Sequence, residues 1–187
     1  MKRLYDALKE IVESFDRLAL DYAVLGGIAV RVHGIARPTQ DLDLIVALAP
    51  ERASALFDAI EELGYTIPDS YRRGWVDRVA GMPLVRFRRY LVDHSLDVDV
   101  FLVDSDFQEQ MLRRARVVQL DDFDARVISP EDLILLKLVA GRYRDLGDVS
   151  DVLFMQGQLD DDYMRHWAKE LGVLDKLEQL LKESREM

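Results

Sequence analysis

Apolar residues recur every three or four positions at the start of the chain, at Leu4, Leu8, Ile11, Val12, Phe15 and Leu18, with charges between them. That spacing predicts an amphipathic helix over Lys2 to Leu20, lying on a sheet. The pattern then shortens. Tyr22-Ala23-Val24-Leu25 is a β-prone run that stops at Gly26-Gly27, and Ile28 to His33 has room for one or two helical turns before Gly34. Arg37-Pro38-Thr39-Gln40 reads as a loop, because proline pushes its predecessor out of the helical region. Asp41 to Leu48 alternates polar and apolar and then turns apolar, as a strand entering a core does.

Pro50 to Leu63 predicts a helix with Ala55, Leu56, Ala59, Ile60 and Leu63 on one face and Gly64 as its stop. Tyr65 to Met82 holds Pro68, Gly74 and Gly81 and no clear period, so most of it is expected to be loop. Two strands follow, Leu84 to Tyr90 and Leu96 to Val103, and then a helix over Phe107 to Ala115. Short strands are expected at Val117–Leu120 and Arg126–Ile128. From Ser129 the pattern is helical: Ser129 is a good N-cap, Pro130 suits the first helical position and Asp132 the third. Such alternation of elements predicts an α/β chain.

Composition bounds the chemistry. A chain of 187 residues, 49% hydrophobic and 32% charged, fits one globular domain with a short helical appendage. The absence of cysteine excludes disulfides, iron–sulfur clusters, zinc ribbons and thiol nucleophiles. No run of about 20 apolar residues is present, and the first residues lack the apolar stretch of a secretory signal, so no membrane is expected and the cytosol is the default location. The net charge of −10 argues against nucleic-acid binding by the whole surface. One segment runs against that balance: Tyr71 to Tyr90 carries Arg72, Arg73, Arg78, Arg86, Arg88 and Arg89 against Asp77 alone. Arginine suits bidentate phosphate contacts, so these residues are either a polyanion surface or ordinary solubility charges.

Three features carry the chemistry. Gly26-Gly27 ends a strand, Asp41-Leu42-Asp43 opens the next, and Asp97-Val98-Asp99 lies in a third. Side chains two apart on a strand share a face, so each aspartate pair projects together. Three or four carboxylates on one sheet face repel and raise each other's pKa, unless a divalent cation neutralises them. Oxygen ligands without cysteine, and three histidines (His33, His94, His166) with no common spacing, point to Mg²⁺ or Mn²⁺ rather than zinc. Two-metal phosphoryl or nucleotidyl transfer uses such a site, and paired glycines at a strand-to-helix turn let backbone amides approach phosphate.

The phrase Leu25-Gly26-Gly27, Arg37-x-Thr39-x-Asp41-Leu42-Asp43-Leu44 and then Asp99 before Val100-Phe101-Leu102 resembles the polymerase-β-like nucleotidyltransferase superfamily. The likeness is greatest to the small nucleotidyltransferases of abortive-infection toxin–antitoxin systems, whose helical segment Ser129-Pro130-Glu131-Asp132-Leu133, Lys137, Gly141-Arg142, Asp145, Asp148 also resembles. The first phrase is similar to that of aminoglycoside and lincosamide nucleotidyltransferases as well. The resemblance implies a small mixed twisted sheet with flanking helices, a core over residues 1–128 and a helical C-terminal segment over 129–187 packed on it. It implies Asp41 and Asp43 as metal ligands, Asp99 as a third carboxylate that binds metal and activates the acceptor hydroxyl, and Gly26 and Gly27 as the triphosphate cradle. Lys137 and Arg142 would face the nucleotide or acceptor, oriented by Asp145 or Asp148. Many relatives have Gly-Ser where this chain has Gly26-Gly27, and Thr39 is a candidate to supply the missing hydroxyl.

Several residues keep two readings. Arg37 either contacts phosphate or bonds loop carbonyls, Lys137 either faces the nucleotide or snorkels, and Arg142, Arg144, Asp145 and Asp148 are at helix ion-pair spacing. Asp97 is expected beside the site rather than as a ligand. Trp167, Leu171, Leu174, Leu177 and Leu181 read as core packing or a dimer face. The expected activity is transfer of a nucleoside monophosphate from an NTP, ATP among them, to a hydroxyl of RNA (tRNA above all) or protein. An RNA would dock on Arg72, Arg73, Arg86, Arg88 and Arg89, and a cognate antitoxin would be the protein partner. The alternatives are an aminoglycoside-like acceptor, attracted by acidic loops such as Asp160-Asp161-Asp162, and a non-catalytic module that binds nucleotide or a partner.

Overall fold

The apolar run after Asp41 becomes the middle of a seven-stranded mixed sheet, in a computed structural model that describes residues 2–79 and 81–185. Strand β2 (Leu42–Val46) has Leu44, Ile45 and Val46 fully buried, as a strand covered on both faces requires. The order is β3-β4-β5-β2-β1-β7-β6. On one side β2 pairs antiparallel with β1 (Tyr22–Val24), and on the other it runs parallel to β5 (Ser95–Leu102). Outward from β5 lie β4 (Met82–Tyr90) and β3 (Asp77–Val79), both antiparallel to their neighbours. Beyond β1 lie β7 (Phe123–Val127), parallel to it, and β6 (Arg116–Leu120).

Helix α1 (Lys2–Arg17) buries Ala7, Leu8, Ile11, Val12 and Phe15, the stripe its spacing predicts, and Phe15 meets Tyr22 edge-on at 5.6 Å. Beside it α3 (Ala53–Glu62) buries Leu56, Phe57 and Ile60. A second group is formed by α2 (Gly26–His33), α6 (Pro130–Ala140) and α7 (Tyr143–Met155), with α5 (Asp106–Arg114), α8 (Asp161–Glu170) and α9 (Leu174–Arg185) completing the layer elements. Ser129 caps α6 as expected, accepting from the Asp132 N–H at 3.2 Å, and Gly141 ends it in the left-handed region at φ +62°. Leu177 and Leu181 are buried and Trp167 packs on Phe107 at 5.2 Å, which is the core-packing reading. Glu186 and Met187, at the end of the expected helical segment, lie outside the described residues. Among those described, no helix is long and apolar enough to cross a membrane.

Two expectations need correction. The Tyr65–Met82 segment is not mostly loop: it contains a helical turn, α4 (Asp69–Arg72), and the edge strand β3. Its order comes from long-range partners, with the buried Tyr71 hydroxyl donating to Asp77 at 2.6 Å and Asp77 standing opposite Leu84 on β4. The Pro50–Leu63 helix opens as a separate 3₁₀ turn over Pro50–Arg52, where proline leaves no N–H to give.

Candidate active site

Strand β1 ends and α2 begins at Gly26, whose φ of +64° an L side chain rarely adopts. Space forbids a side chain there too, since a Cβ at Gly26 would run into the Asp43 carboxylate. At Gly27 a Cβ would instead collide with the Thr39 hydroxyl and Cβ. The loop threonine thus fills the place beside the helix N-terminus that a side chain at residue 27 would occupy. The Gly27 amide donates to the Asp43 carboxylate, and Leu25 N–H bonds the Asp43 carbonyl at 2.9 Å. Turn and strand are therefore joined through Asp43.

Register brings the carboxylates together. Asp43 on β2 stands directly opposite Asp99 on β5, and Asp97 lies two residues earlier on the same face. Burial, then the charges of Asp99 and Asp41, push the Asp43 carboxyl up to about 6. Asp41 is also raised, by burial and by Asp97 and Asp99. Both shifts mark negative charge that the protein compensates only in part, and hard oxygen donors in such a state fit a Mg²⁺ or Mn²⁺ ion. The third carboxylate is different. Arg86 on β4, opposite Asp99 in register, donates through Nε and Nη2 to its two oxygens at 2.6 and 2.8 Å. Arg88 holds Asp97 in the same way, at 2.6 and 2.6 Å, and keeps it below the usual carboxylate range. Among the described residues, no group of three or more carboxylates or histidines converges on one point.

A second set of charges lies between α6, α7 and the loop before β2. Lys137 does not snorkel. Its side chain is 9% exposed, and Nζ reaches both Asp145 and Asp148 at 2.8 Å. Arg37 pairs bidentately with Asp148 at 2.7 and 2.8 Å rather than capping the loop, although a long contact to the Pro38 carbonyl remains. Arg142 donates to Asp145 at 2.7 Å. Burial raises the two aspartates, but these cations outweigh it and hold both below the usual carboxylate range. The knot borders the sheet carboxylates: the Asp43 charge raises the pKa of both Arg37 and Arg142, and Lys137 partly offsets the rise at Asp43.

The arginines of Tyr71–Tyr90 do not form one open basic surface. Arg72 pairs with Asp58 and Glu61, Arg86 with Asp99, Arg88 with Asp97, and Arg89 with Glu10, while Arg73 stays exposed. Each pairing cancels charge that a polyanion would need. His33 bonds the Ile128 carbonyl at 2.7 Å. Asp160 to Asp162 sit with Arg114, Arg116 and Glu131 around a separate polar cavity, away from the sheet carboxylates, and Asp160 caps α8. The residue that sequence reasoning passed over is Tyr143, 96% exposed at the first turn of α7 between Arg142 and Arg144. An aromatic between two arginines just after the Gly141 stop was the signal available for it.

No curated protein sequence matches the chain significantly. Solved structures do share its fold. The solution structure of the antibiotic-resistance factor ANT(2'')-Ia superposes with a TM-score of 0.54 at 15% identity, covering 99% of this chain and 96% of that one. The lincomycin-bound lincosamide antibiotic adenylyltransferase LnuA gives 0.52 at 17% identity, over 83% and 97%. An antigenic nucleotidyltransferase-like protein from Paracoccidioides brasiliensis gives 0.51 at 16%, over 91% and 88%. A family model described as a nucleotidyltransferase of unknown function (DUF6036) matches residues 1–182, and the protein belongs to that nucleotidyltransferase family.

Proposed function

We propose that the protein transfers a nucleoside monophosphate from an NTP to a hydroxyl at an RNA end. The observation that carries the reading is the β2–β5 register, which sets Asp43 against Asp99 beside the Gly26–Gly27 turn. Asp41 and Asp43 would hold Mg²⁺ or Mn²⁺, with Asp99 as the third carboxylate. A bound divalent ion supplies Lewis-acid stabilisation of the phosphoryl oxygens and of the departing pyrophosphate. The chain's own groups do the rest. The amides at the start of α2 and the Thr39 hydroxyl receive the triphosphate, so Thr39 takes the part that a serine at residue 27 plays in many relatives. Lys137, Arg37 and Arg142 set a positive field beside it. The acceptor oxygen bonds to the α-phosphorus as the α–β bridging bond breaks, and the hydroxyl proton passes to Asp99.

The exposed Tyr143 ring supports a nucleotide-bearing acceptor, since such a ring stacks a base and the exposed Arg144 next to it in sequence offers a cation to phosphate. The toxin-like resemblance adds a cytosolic setting and a cognate antitoxin. A second reading keeps the chemistry and takes a small hydroxyl-bearing cation as acceptor. It is favoured by the internal pairing of Arg72, Arg86, Arg88 and Arg89, by the net charge of −10, and by a cavity of about 380 Å³ beside Thr39 and Gln40. ANT(2'')-Ia in complex with adenylyl-2''-tobramycin and lincomycin-bound LnuA are structures of this fold that hold small molecules. The test incubates the protein with Mg²⁺, each α-labelled NTP, and either total cellular RNA or an aminoglycoside panel, beside an Asp41→Ala/Asp43→Ala double variant. Label on RNA that the variant lacks is the expected result. Label on the small molecules alone selects the second reading, and label that survives in the variant overturns both.

A further inference from the structure

Asp99 stands where a third carboxylate for a second ion is wanted, yet both of its oxygens already accept hydrogen bonds from one guanidinium. The pairing is built into the sheet. Arg86 lies directly across from Asp99 on β4, so its side chain is aimed by strand register and not by a mobile surface loop. The planar fork of arginine covers a carboxylate bidentately, along the same in-plane directions that a divalent ion would use. Asp41 and Asp43 have no such partner, and no three-carboxylate group converges among the described residues.

We infer that Arg86 is a resident counter-cation that limits the resting protein to one divalent ion, held at Asp41 and Asp43, and that the Asp99 position opens to a second ion only when nucleotide phosphates draw the guanidinium away. The Arg86 side chain is 42% exposed against 18% for Asp99, so the guanidinium has a solvent side from which phosphate can compete for it. Arg86 is thus a positioning residue that couples ion count to nucleotide occupancy. A free divalent ion then cannot complete the site in the absence of substrate. The inference rests on the metal reading above and adds the order in which the site fills.

The neighbouring pair supplies the control, because Arg88 grips Asp97 with the same geometry two register positions away on the same face. The experiment counts bound Mn²⁺ by electron paramagnetic resonance on the full chain, with and without a non-hydrolysable NTP analogue. Wild type is expected to bind one ion alone and two with the analogue. Arg86→Met, which keeps the apolar stem and removes the donors, should bind two ions without the analogue, the second at least tenfold tighter than in wild type. Arg88→Met should keep the wild-type count. Arg86→Lys retains charge for folding but loses the bidentate fork, and should fall between wild type and Arg86→Met; circular dichroism verifies each fold. A single ion in both folded Arg86 variants without analogue, or two ions in wild type without it, overturns the inference while leaving the function intact. Equal Mn²⁺ binding by wild type and Asp43→Asn instead removes the metal reading itself.

Discussion

Two groups of aspartates lie side by side in this molecule and have opposite electrostatics. Asp145 and Asp148 on α7 are buried among Lys137, Arg37 and Arg142, and their carboxyl groups are held below the usual range. Asp41 and Asp43, at and just before the start of β2, are short of cations, and their carboxyl groups are raised. The same residue type thus has a structural part in one place, where Asp145 and Asp148 are buried, and an unmet demand for charge in the other, where Asp41 is exposed and Asp43 half-buried. The cause is position. A helix-start cluster recruits cations from three segments, whereas register stacks the sheet carboxylates against one another.

The comparison breaks most visibly in catalysis. Asp43→Ala should lower transfer by about 10³-fold or more, several kcal/mol of lost charge stabilisation, with thermal denaturation showing an intact fold. Next is Lys137→Met, which leaves two buried carboxylates with less cation. It should destabilise by about 3–5 kcal/mol and lower Tm by roughly 10 °C in a scan without metal.

Asp43→Asn should do the reverse in metal-free buffer, stabilising by about 3 kcal/mol at neutral pH. The sign follows from a folded-state value of about 6 against 3.8 unfolded. The folded wild type holds the extra proton, so its stability drops as pH rises from about 4 to 6, and the advantage of Asn vanishes below about 4. Asp148 runs the other way. Its pairing stabilises fully above the unfolded value and is lost as pH falls through the lower folded one. Urea titrations of wild type, Asp43→Asn and Asp148→Asn at pH 4, 6 and 8 separate the two slopes. The smallest expected effect is at the rim. Tyr143→Ala should leave stability within about 0.5 kcal/mol and raise KM for an RNA acceptor roughly tenfold, the worth of one stacked base, with KM for NTP unchanged.

Much of this was readable from residue order. The stripe of α1, the Gly26-Gly27 turn, Asp41-x-Asp43 and the capped start of α6 are local signals, each set by neighbours within a few positions. The Arg86–Asp99 and Arg88–Asp97 pairs were not readable, because nothing in a strand's sequence states which residue will face it across the sheet. For the same reason a run of arginines read as one candidate surface turns out to be divided among carboxylates on α1, α3 and β5. The Tyr65–Met82 segment hid its order likewise, since Tyr71 and β3 are fixed by partners that only the folded chain supplies.

The hydroxyl beside Gly27 arrives on a loop, and that loop is moored to α7 by Arg37 on Asp148 and by Arg144 on the Pro38 carbonyl. The N-terminal elements therefore do not own the whole of the proposed triphosphate cradle; part of it hangs from residues more than a hundred positions downstream. Loss of those two moorings alone would leave both glycines and the sheet carboxylates in place, yet let Thr39 drift. The helices at the C-terminal end thus serve as the far anchor of a clasp whose near half is written at the start of the sequence.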